Sequence, residues 1–320
     1  MRPRFLLHLL AALTVCSALQ GCANLLVNRG LAQKRTEEVR QNNFAHSREV
    51  WEKLVPGITA WGDSLKLSGV LRDTFVVRGG VRLHACYAEA PESSVSRRKT
   101  AVVVHGYRSS PFNVMAIARM YRDSFGFNVF LPTLRHHGNS DGEAVQMGWL
   151  DRLDVLDWSA LAHGTFGDTL QVFHGVSMGA ATVMMASGEE TPGYVKGFVE
   201  DCGYTSVWNE LVYVLDSKAG LRAKPTAYRA ERIVKRRYGW DFHEASASEM
   251  VSRCTKPMLF IHGECDRFVP TGMAEYNYNA KLHGYRELWI TQGSAHAMSF
   301  PDHTAEYVSR VRAFISAHVE

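Results

Sequence analysis

The sequence predicts an α/β fold built around a mostly parallel sheet, and two features of the chain support this prediction. Short apolar runs rich in β-branched residues recur through the second and last thirds of the chain, and helix-like segments separate most of them. Continuous apolar runs are typical of parallel strands, because these are buried on both faces. Repeated strand–helix units place helices on both sides of the sheet. The strand-like runs are 101–104, 129–131, 170–173, 195–199, 258–261 and 288–290.

Length and composition are those of a globular protein. Of 320 residues, 46% are hydrophobic and 21% are charged, which argues against disorder. The net charge is +4, and Arg2 and Arg4 of a short N-terminal segment supply two of these charges. The remaining charge is close to balanced, so a nucleic-acid partner is not expected. A polytopic membrane protein is excluded, because no further apolar run approaches the length of about 18 residues.

The N-terminus is predicted to be an export signal. Arg2 and Arg4 precede an apolar stretch over 5–19, which is the pattern of a secretory signal peptide. The sequence Leu19-Gln20-Gly21-Cys22 that follows resembles the lipobox of bacterial lipoproteins. This resemblance implies that 1–21 is removed and that Cys22 becomes an acylated N-terminus.

Several acyl chains on one residue would hold the protein stably on a lipid bilayer. Ala23 follows the cysteine, so the aspartate that commonly retains lipoproteins in the inner membrane is absent. The expected location is therefore a bacterial membrane, the outer one favoured, with the protein facing the periplasm or the cell surface. A plain signal peptide is the alternative.

Four cysteines remain beyond the signal and the lipidation site. In an exported protein Cys86, Cys202, Cys254 and Cys265 could form disulfides or remain free thiols, and the sequence leaves this open. The absence of a C-x-x-C pair argues against a zinc or thioredoxin-like site. The pair His136-His137 lacks a third residue at ligand-like spacing. No metal and no cofactor is therefore expected.

The chain divides into three parts. After the signal, 22–64 is predicted to be a tether followed by an amphipathic helix, and 65–320 to be the α/β domain. Two strand-like runs, 74–78 and 81–87, flank Gly79-Gly80, which predicts a β-hairpin. Helical patterns cover 112–124, 149–163, 178–188, 271–282 and 303–318.

One interval is longer than a crossover helix requires. The aromatic-rich segment of about 204–250 is therefore predicted to be an insertion. Its aromatic side chains either line a substrate pocket as a lid or belong to ordinary packing.

The chemistry is carried by Gly175-Val176-Ser177-Met178-Gly179. This G-x-S-x-G sequence follows a strand run and opens a helix rich in small residues, which is the context of a nucleophile elbow. The two glycines avoid collisions at the tight turn, and the helix N-terminus favours developing negative charge. A serine nucleophile also needs a base and a carboxylate that orients it.

Candidates for both groups follow Ser177 in the chain. Asp266 lies just past the run 258–261, and His296 lies past the run 288–290, where functional groups gather in open α/β sheets. Glu264 and Asp201 are rivals for the position of the acid.

These motifs together resemble the α/β-hydrolase superfamily over about residues 70 to 318. Supporting segments are His105-Gly106-Tyr107, Arg135-His136-His137-Gly138-Asn139-Ser140 and Val269-Pro270. The chain is loosely similar to prolyl-oligopeptidase catalytic domains and feruloyl-type esterases. The resemblance implies Ser177 as nucleophile, His296 as general base and Asp266 as its orienting acid. The backbone N–H groups of Tyr107 and Met178 would form the oxyanion hole, and His136 stands where relatives have glycine.

The function expected from this resemblance is that of a serine hydrolase, with an esterase for small acyl substrates favoured. The alternatives are a serine peptidase of prolyl-oligopeptidase type and a lipoprotein that uses the fold only for binding. The physiological substrate, the acyl chain length and the oligomeric state are not predicted.

Overall fold

A computed structural model of the chain describes residues 20–33, 36–92, 98–219 and 223–320. Eight strands form one sheet in the order β1-β2-β4-β3-β5-β6-β7-β8. The pairs β1–β2 and β2–β4 are antiparallel, and every other pair is parallel. The predicted mostly parallel sheet is therefore confirmed. The strands are β1 (Leu71–Arg78), β2 (Val81–Ala88), β3 (Lys99–Val104), β4 (Asn128–Thr133), β5 (Leu170–Val176), β6 (Val195–Asp201), β7 (Met258–Gly263) and β8 (Arg286–Thr291).

Helices connect the strands and cover both faces of the sheet. Ahead of the sheet lie α1 (Glu37–Leu54) and α2 (Ile58–Leu67), and a helical stretch over 20–30 precedes them. The remaining helices are α3 (Met115–Arg119, between a 3₁₀ turn and a π turn), α4 (Asp151–Phe166), α5 (Met178–Ser187), α6 (Val207–Ala219), α7 (Ala223–Tyr238), α8 (Ala247–Arg253), α9 (Gly272–Ala280), α10 (Ser299–Asp302) and α11 (Thr304–His318).

The β1–β2 hairpin turns at the two glycines that the sequence marks. Gly79 and Gly80 have φ of 55° and 78°, in the left-handed region that a type I′ turn requires at both central positions. The strands then pair in register from Arg78 opposite Val81 to Leu71 opposite Ala88.

Two large apolar clusters, one on each face of the sheet, make up most of the core of the described residues. Alternate residues of β3 divide between them: Val102 and Val104 point to one cluster, and Ala101 and Val103 to the other. All four are fully buried. This explains why the strand runs are continuously apolar rather than alternating.

The start of the described chain packs against the domain. Ala23, Val27 and Leu31 lie on one side of the helical stretch and are buried in the first core cluster. The backbone N–H of Val145 also donates to the Leu31 carbonyl at 2.9 Å. The segment interpreted as the start of a tether is therefore part of the folded body in this structure. The prediction of a tether differs from the structure because the apolar face of this helical stretch is short, and the surface on which it packs is distant in sequence.

The long interval between β6 and β7 holds α6, α7 and α8. Its aromatic residues mainly pack within the protein: Trp240 is 1% exposed, and its indole N–H donates to Gln146. The Trp208 ring stacks on His243 at 4.1 Å and lies 4.5 Å from the Tyr228 ring. These contacts favour the packing interpretation for these aromatic side chains.

The cysteines of the described residues are free thiols, including Cys86, Cys202, Cys254 and Cys265. No helix within those residues is both long enough and apolar enough to cross a membrane. The predicted signal segment falls largely on 1–19, which lie outside the described residues.

Candidate active site

Ser177 occupies the sharp turn between β5 and α5. Its φ of 58° and ψ of −120° lie outside the regions that a serine normally adopts, so the surrounding structure must hold this strained conformation. The turn raises the hydroxyl above the carboxyl end of β5, next to the first turn of α5. This is the geometry that the G-x-S-x-G sequence predicts.

The two glycines of the motif are required by close backbone contacts. A Cβ on Gly175 would lie 2.1 Å from the Gly179 carbonyl oxygen, and a Cβ on Gly179 would lie 2.1 Å from the Val104 carbonyl oxygen. No side chain fits at either position. The motif thus lets α5 start directly behind the strand and against β3.

His296 links the serine to a carboxylate. Its Nε2 lies 2.8 Å from the Ser177 Oγ, and its Nδ1 lies 2.7 Å from the Asp266 Oδ2. The imidazole is about one-quarter exposed, whereas the Asp266 carboxylate is fully buried. The structure therefore brings together the three residues that the sequence proposed, in the order serine, imidazole, carboxylate.

Several donors hold the Asp266 carboxylate. Its Oδ1 accepts the backbone N–H groups of Phe268 at 2.8 Å and Val269 at 3.0 Å. Burial alone would raise the pKa of this carboxyl, but hydrogen bonds from His262 and His296 outweigh it and hold the pKa well below its usual value. Asp266 therefore remains an anion beside the imidazole.

The rival acids are engaged elsewhere. The Glu264 carboxylate accepts the backbone N–H of Gly293 at 2.9 Å, which joins the loop after β7 to the loop after β8. Asp201, at the end of β6, accepts the Tyr307 hydroxyl at 3.0 Å. The carboxylate that contacts His296 at hydrogen-bonding distance is that of Asp266.

The proposed oxyanion donors flank the serine. Met178 is the first residue of α5, so its N–H belongs to the helix N-terminus, where negative charge is favoured. The segment after β3 lies on the other side: a Cβ on Gly106 would sit 3.3 Å from the Ser177 Cβ and 3.7 Å from its Oγ. Tyr107 follows directly, and its hydroxyl donates to the Gly30 carbonyl of the N-terminal helical stretch.

A second histidine, His262, belongs to the His262-Gly263 segment of the family resemblance, but the sequence pattern assigned no role to its side chain. Its Nε2 donates to the Val269 carbonyl at 2.9 Å and lies 3.3 Å from the Asp266 Oδ2. Burial lowers the pKa of this imidazole, but the Asp266 and Glu200 carboxylates raise it by more, so the pKa is above its usual value. His262 thus supports Asp266 from the side opposite His296.

Two further carboxyls are buried behind the serine, at the end of β6. Burial raises the pKa of Glu200 to about 8 and that of Asp201 to about 6. Glu200 accepts the Gly203 N–H at 2.9 Å. Asp201 is also joined to the nucleophile turn through its backbone, because its carbonyl oxygen accepts the Ser177 N–H at 2.8 Å.

The histidines after β4 form part of the loop structure. His136 has a φ of 58°, in the left-handed region that glycine adopts easily. This agrees with the glycine that relatives are expected to have at this position. Its two ring nitrogens contact the Gly142 carbonyl at 2.7 Å and the Gln33 carbonyl at 2.9 Å. The His137 Nε2 accepts the Arg108 N–H at 3.0 Å. A metal pair is not favoured, because backbone groups occupy these nitrogens.

The sequence comparison gives one informative relative. No family model matches the chain. It is 28% identical over 217 residues to the uncharacterized protein YqkD of Bacillus subtilis, a match that covers 68% of this chain and 70% of that protein. This relative carries no assigned activity.

Solved structures resemble the protein more broadly. The esterase Pf2001 of Pyrococcus furiosus superposes with a TM-score of 0.62 at 19% identity, over 78% of this chain and 93% of that one. The acylaminoacyl peptidase of Pyrococcus horikoshii superposes with a TM-score of 0.59 at 14% identity, over 78% of this chain and 42% of that one. At these identities the likeness establishes a shared fold.

Proposed function

Starting from the α/β-hydrolase fold that this chain adopts, we propose that it is a serine hydrolase acting through an acyl-enzyme. The observation that carries this proposal is the continuous hydrogen-bonded line from Ser177 through His296 to Asp266. Esterases and acylaminoacyl peptidases among the structural neighbours agree with it. A protein that only binds ligands has no need for this arrangement or for a strained serine.

The reaction follows from the geometry. His296 accepts the Ser177 proton as the oxygen attacks a carbonyl carbon, and the negative charge develops beside the N–H groups of Tyr107 and Met178. The imidazolium then gives its proton to the leaving group, and an acyl-serine remains. A water molecule deprotonated by His296 releases the acid and restores the serine. Asp266 stabilises the imidazolium in both steps.

We assign carboxylic esters of small acyl substrates as the first substrate class. Ester hydrolysis requires only the triad and an oxyanion site. A peptidase that acts at a chain terminus must in addition bind the charged terminus. The peptidase reading of the same machinery remains the second candidate, because both activities occur among the neighbours.

The test of the serine is labelling with a fluorophosphonate, followed by location of the adduct by mass spectrometry. We expect one adduct on Ser177 that is lost in Ser177→Ala and in His296→Ala. His303→Ala is the matched control, because His303 lies in the same region and its ring contacts the Gln292 carbonyl. An unlabelled but folded protein would contradict the hydrolase and favour a binding protein.

The substrate class is tested on the same protein. We expect turnover of short-chain p-nitrophenyl esters to exceed turnover of aminoacyl p-nitroanilides in kcat/KM. Higher kcat/KM on the anilides would replace the esterase assignment by a peptidase. Ser177→Ala should lose either activity.

We further propose that Cys22 carries lipid and holds the protein on a bacterial membrane, with the outer membrane favoured. The lipobox-like sequence supports this, and Cys22 is exposed at the start of the helical stretch, whereas Ala23 and Val27 are buried. Cys22→Ser should release the protein into the soluble fraction of cells. Membrane association that survives the substitution and a salt wash would rule out the lipid as the sole anchor.

A further inference from the structure

Three potential metal ligands share one face of the β1–β2 hairpin, away from the catalytic serine. Asp73 of β1 lies directly opposite Cys86 in the strand register, and His84 precedes Cys86 by two residues on β2. Residues two apart on a strand point to the same face, and directly paired residues do as well. The hairpin thus groups a carboxylate, an imidazole and a thiol.

The donor atoms of these side chains converge on one point. The His84 Nε2 lies 2.8 Å from the Asp73 Oδ1, and the Cys86 Sγ lies 3.4 Å from that oxygen and 3.9 Å from the Nε2. Zinc bonds of about 2.0 to 2.3 Å at tetrahedral angles place neighbouring ligands about 3.3 to 3.8 Å apart. Small side-chain movements would bring the three atoms to those separations.

The contacts of His84 differ from those of a catalytic imidazole. His296 uses one ring nitrogen for the serine and the other for the carboxylate. His84 turns a single nitrogen, Nε2, toward both the thiol and the carboxylate. Its Nδ1 contacts the Thr133 hydroxyl at 2.8 Å. A histidine ligand is commonly held in this way, by a second hydrogen bond on its other nitrogen.

A cavity beside the cluster provides room for an ion and a further ligand. Its volume is about 340 Å³, and it lies between α1, α2 and the hairpin. Asp73, His84 and Cys86 all line it, whereas the catalytic triad does not. His84 is 4% exposed, so its ring is buried at the edge of this cavity. A water molecule could complete a four-coordinate ion from the cavity.

We propose that Asp73, His84 and Cys86 form a binding site for a divalent transition-metal ion of the zinc type. The mixture of thiolate, imidazole and carboxylate suits such an ion and does not suit calcium or magnesium, which prefer oxygen ligands. One thiolate and one carboxylate also balance its charge.

Binding of the ion displaces one proton. Burial and the neighbouring Asp73 carboxylate raise the pKa of the Cys86 thiol, so the metal-free thiol retains its proton. The Sγ–metal bond forms as that proton passes to the buffer, and the neutral imidazole supplies its Nε2 lone pair. No oxidation state changes. The ion would connect β1 to β2 and, through Thr133, to β4.

Cobalt substitution tests the site directly and requires no enzyme activity. Purified protein stripped with a chelator should bind one Co²⁺, with the thiolate-to-cobalt charge-transfer band and the intense visible bands of a tetrahedral complex. Zn²⁺ should displace the cobalt and abolish these bands. Cys86→Ser should lose the charge-transfer band, and His84→Ala and Asp73→Asn should weaken affinity at least about tenfold.

Control variants separate this cluster from the other thiols. Cys265→Ser removes an exposed cysteine of the acid loop and should keep the full spectrum. Cys202 lies near Asp266 and His296, so it forms the competing cluster. A band lost in Cys202→Ser but kept in Cys86→Ser would overturn the proposal. A folded protein that shows no cobalt band at stoichiometric metal would overturn it equally. Circular dichroism of each variant verifies the fold.

Discussion

At the scale of single residues, His296 is the centre of the site, because its two ring nitrogens contact different partners. One partner is the proposed nucleophile, and the other is a carboxylate that accepts two backbone N–H groups and contacts a second histidine. The position of the carboxylate is therefore fixed by contacts that do not involve the His296 imidazole. This arrangement sets the ring orientation and would stabilise the imidazolium of the proposed mechanism.

The first prediction separates the true orienting acid from its neighbour. Asp266→Asn should lower kcat by about 10³- to 10⁴-fold, because the amide disfavours the required tautomer and no longer stabilises the imidazolium. Glu264→Gln should retain activity within about tenfold, because the amide oxygen can still accept the Gly293 N–H. Initial rates with a short-chain ester measure both.

Equal losses in the two variants would contradict this assignment. They would show that the acid loop as a whole, and not the Asp266 carboxylate, controls the rate.

The order of serine, acid and histidine along the chain was enough to propose the triad, but not its supporting residues. The supporting role of His262 could not be assigned, because the His-Gly dipeptide occurs six times in this sequence. Its role depends on the loop after β7 folding back over the Asp266 carboxylate. That approach is a tertiary contact, and no local pattern encodes it.

At the scale of elements, the apolar strand runs and the Gly79-Gly80 turn were predictable because each is encoded locally. The helical stretch over 20–30 was not predictable in this way, since it is short and directly follows the predicted signal segment. The role of its apolar side can be recognised only when the surface on which it packs is known, and that surface includes Val145 of the core. The insertion was recognised from its length, while its internal aromatic packing required the structure.

The second prediction concerns this helical stretch. Val27→Asp should destabilise the protein by about 2 to 4 kcal/mol or detach the stretch, because Val27 is 1% exposed and the charge would lack a partner. Leu25→Asp is the matched control, since Leu25 is 51% exposed, and it should change stability by less than about 0.5 kcal/mol. Urea unfolding measures both.

Val27→Asp should also lower ester turnover, because the stretch receives the hydroxyl of Tyr107 beside the serine. Unchanged stability and turnover would show that the stretch is not packed against the domain in solution.

At the scale of the whole molecule, buried carboxyls below the site connect stability to pH. Glu200 is buried with a pKa raised to about 8, and in the unfolded chain it would titrate near its usual, lower value. Between these values the unfolded state has lost the proton that the folded state keeps. Stability therefore falls as pH rises through this window. Asp201 and His262 act in the same direction, because their folded-state pKa values are also raised.

The third prediction follows from this sign. The free energy of unfolding should fall between pH 5.5 and 8, and Glu200→Gln should reduce the fall by up to about 3 kcal/mol, because an amide does not titrate. The lowered pKa of Asp266 affects stability only under more acidic conditions. Urea titrations at the two pH values measure the difference. An identical pH dependence in the variant would show that Glu200 is already ionised in the folded protein.

The whole molecule also shows what spacing in the sequence cannot predict. Asp73 and Cys86 are thirteen positions apart and resemble no metal-binding motif, yet strand pairing places them opposite each other. The expectation of no metal considered only neighbours along the chain, so it did not weigh this group of side chains. Strand register is the missing information.

The contacts of the N-terminal helical stretch would determine the orientation of the protein at a bilayer. The Arg29 carbonyl accepts a hydrogen bond from the Arg108 guanidinium, and the Gly30 carbonyl accepts one from the hydroxyl of Tyr107, whose backbone N–H is a proposed oxyanion donor. A lipid on Cys22 would then be separated from the reaction centre by a few helical turns. Because the stretch is packed on the domain, this attachment would leave little freedom of rotation. The anchor would fix both the orientation of the active-site opening relative to the bilayer and its distance from the bilayer. Substrates would then be drawn from the membrane surface that the anchor occupies.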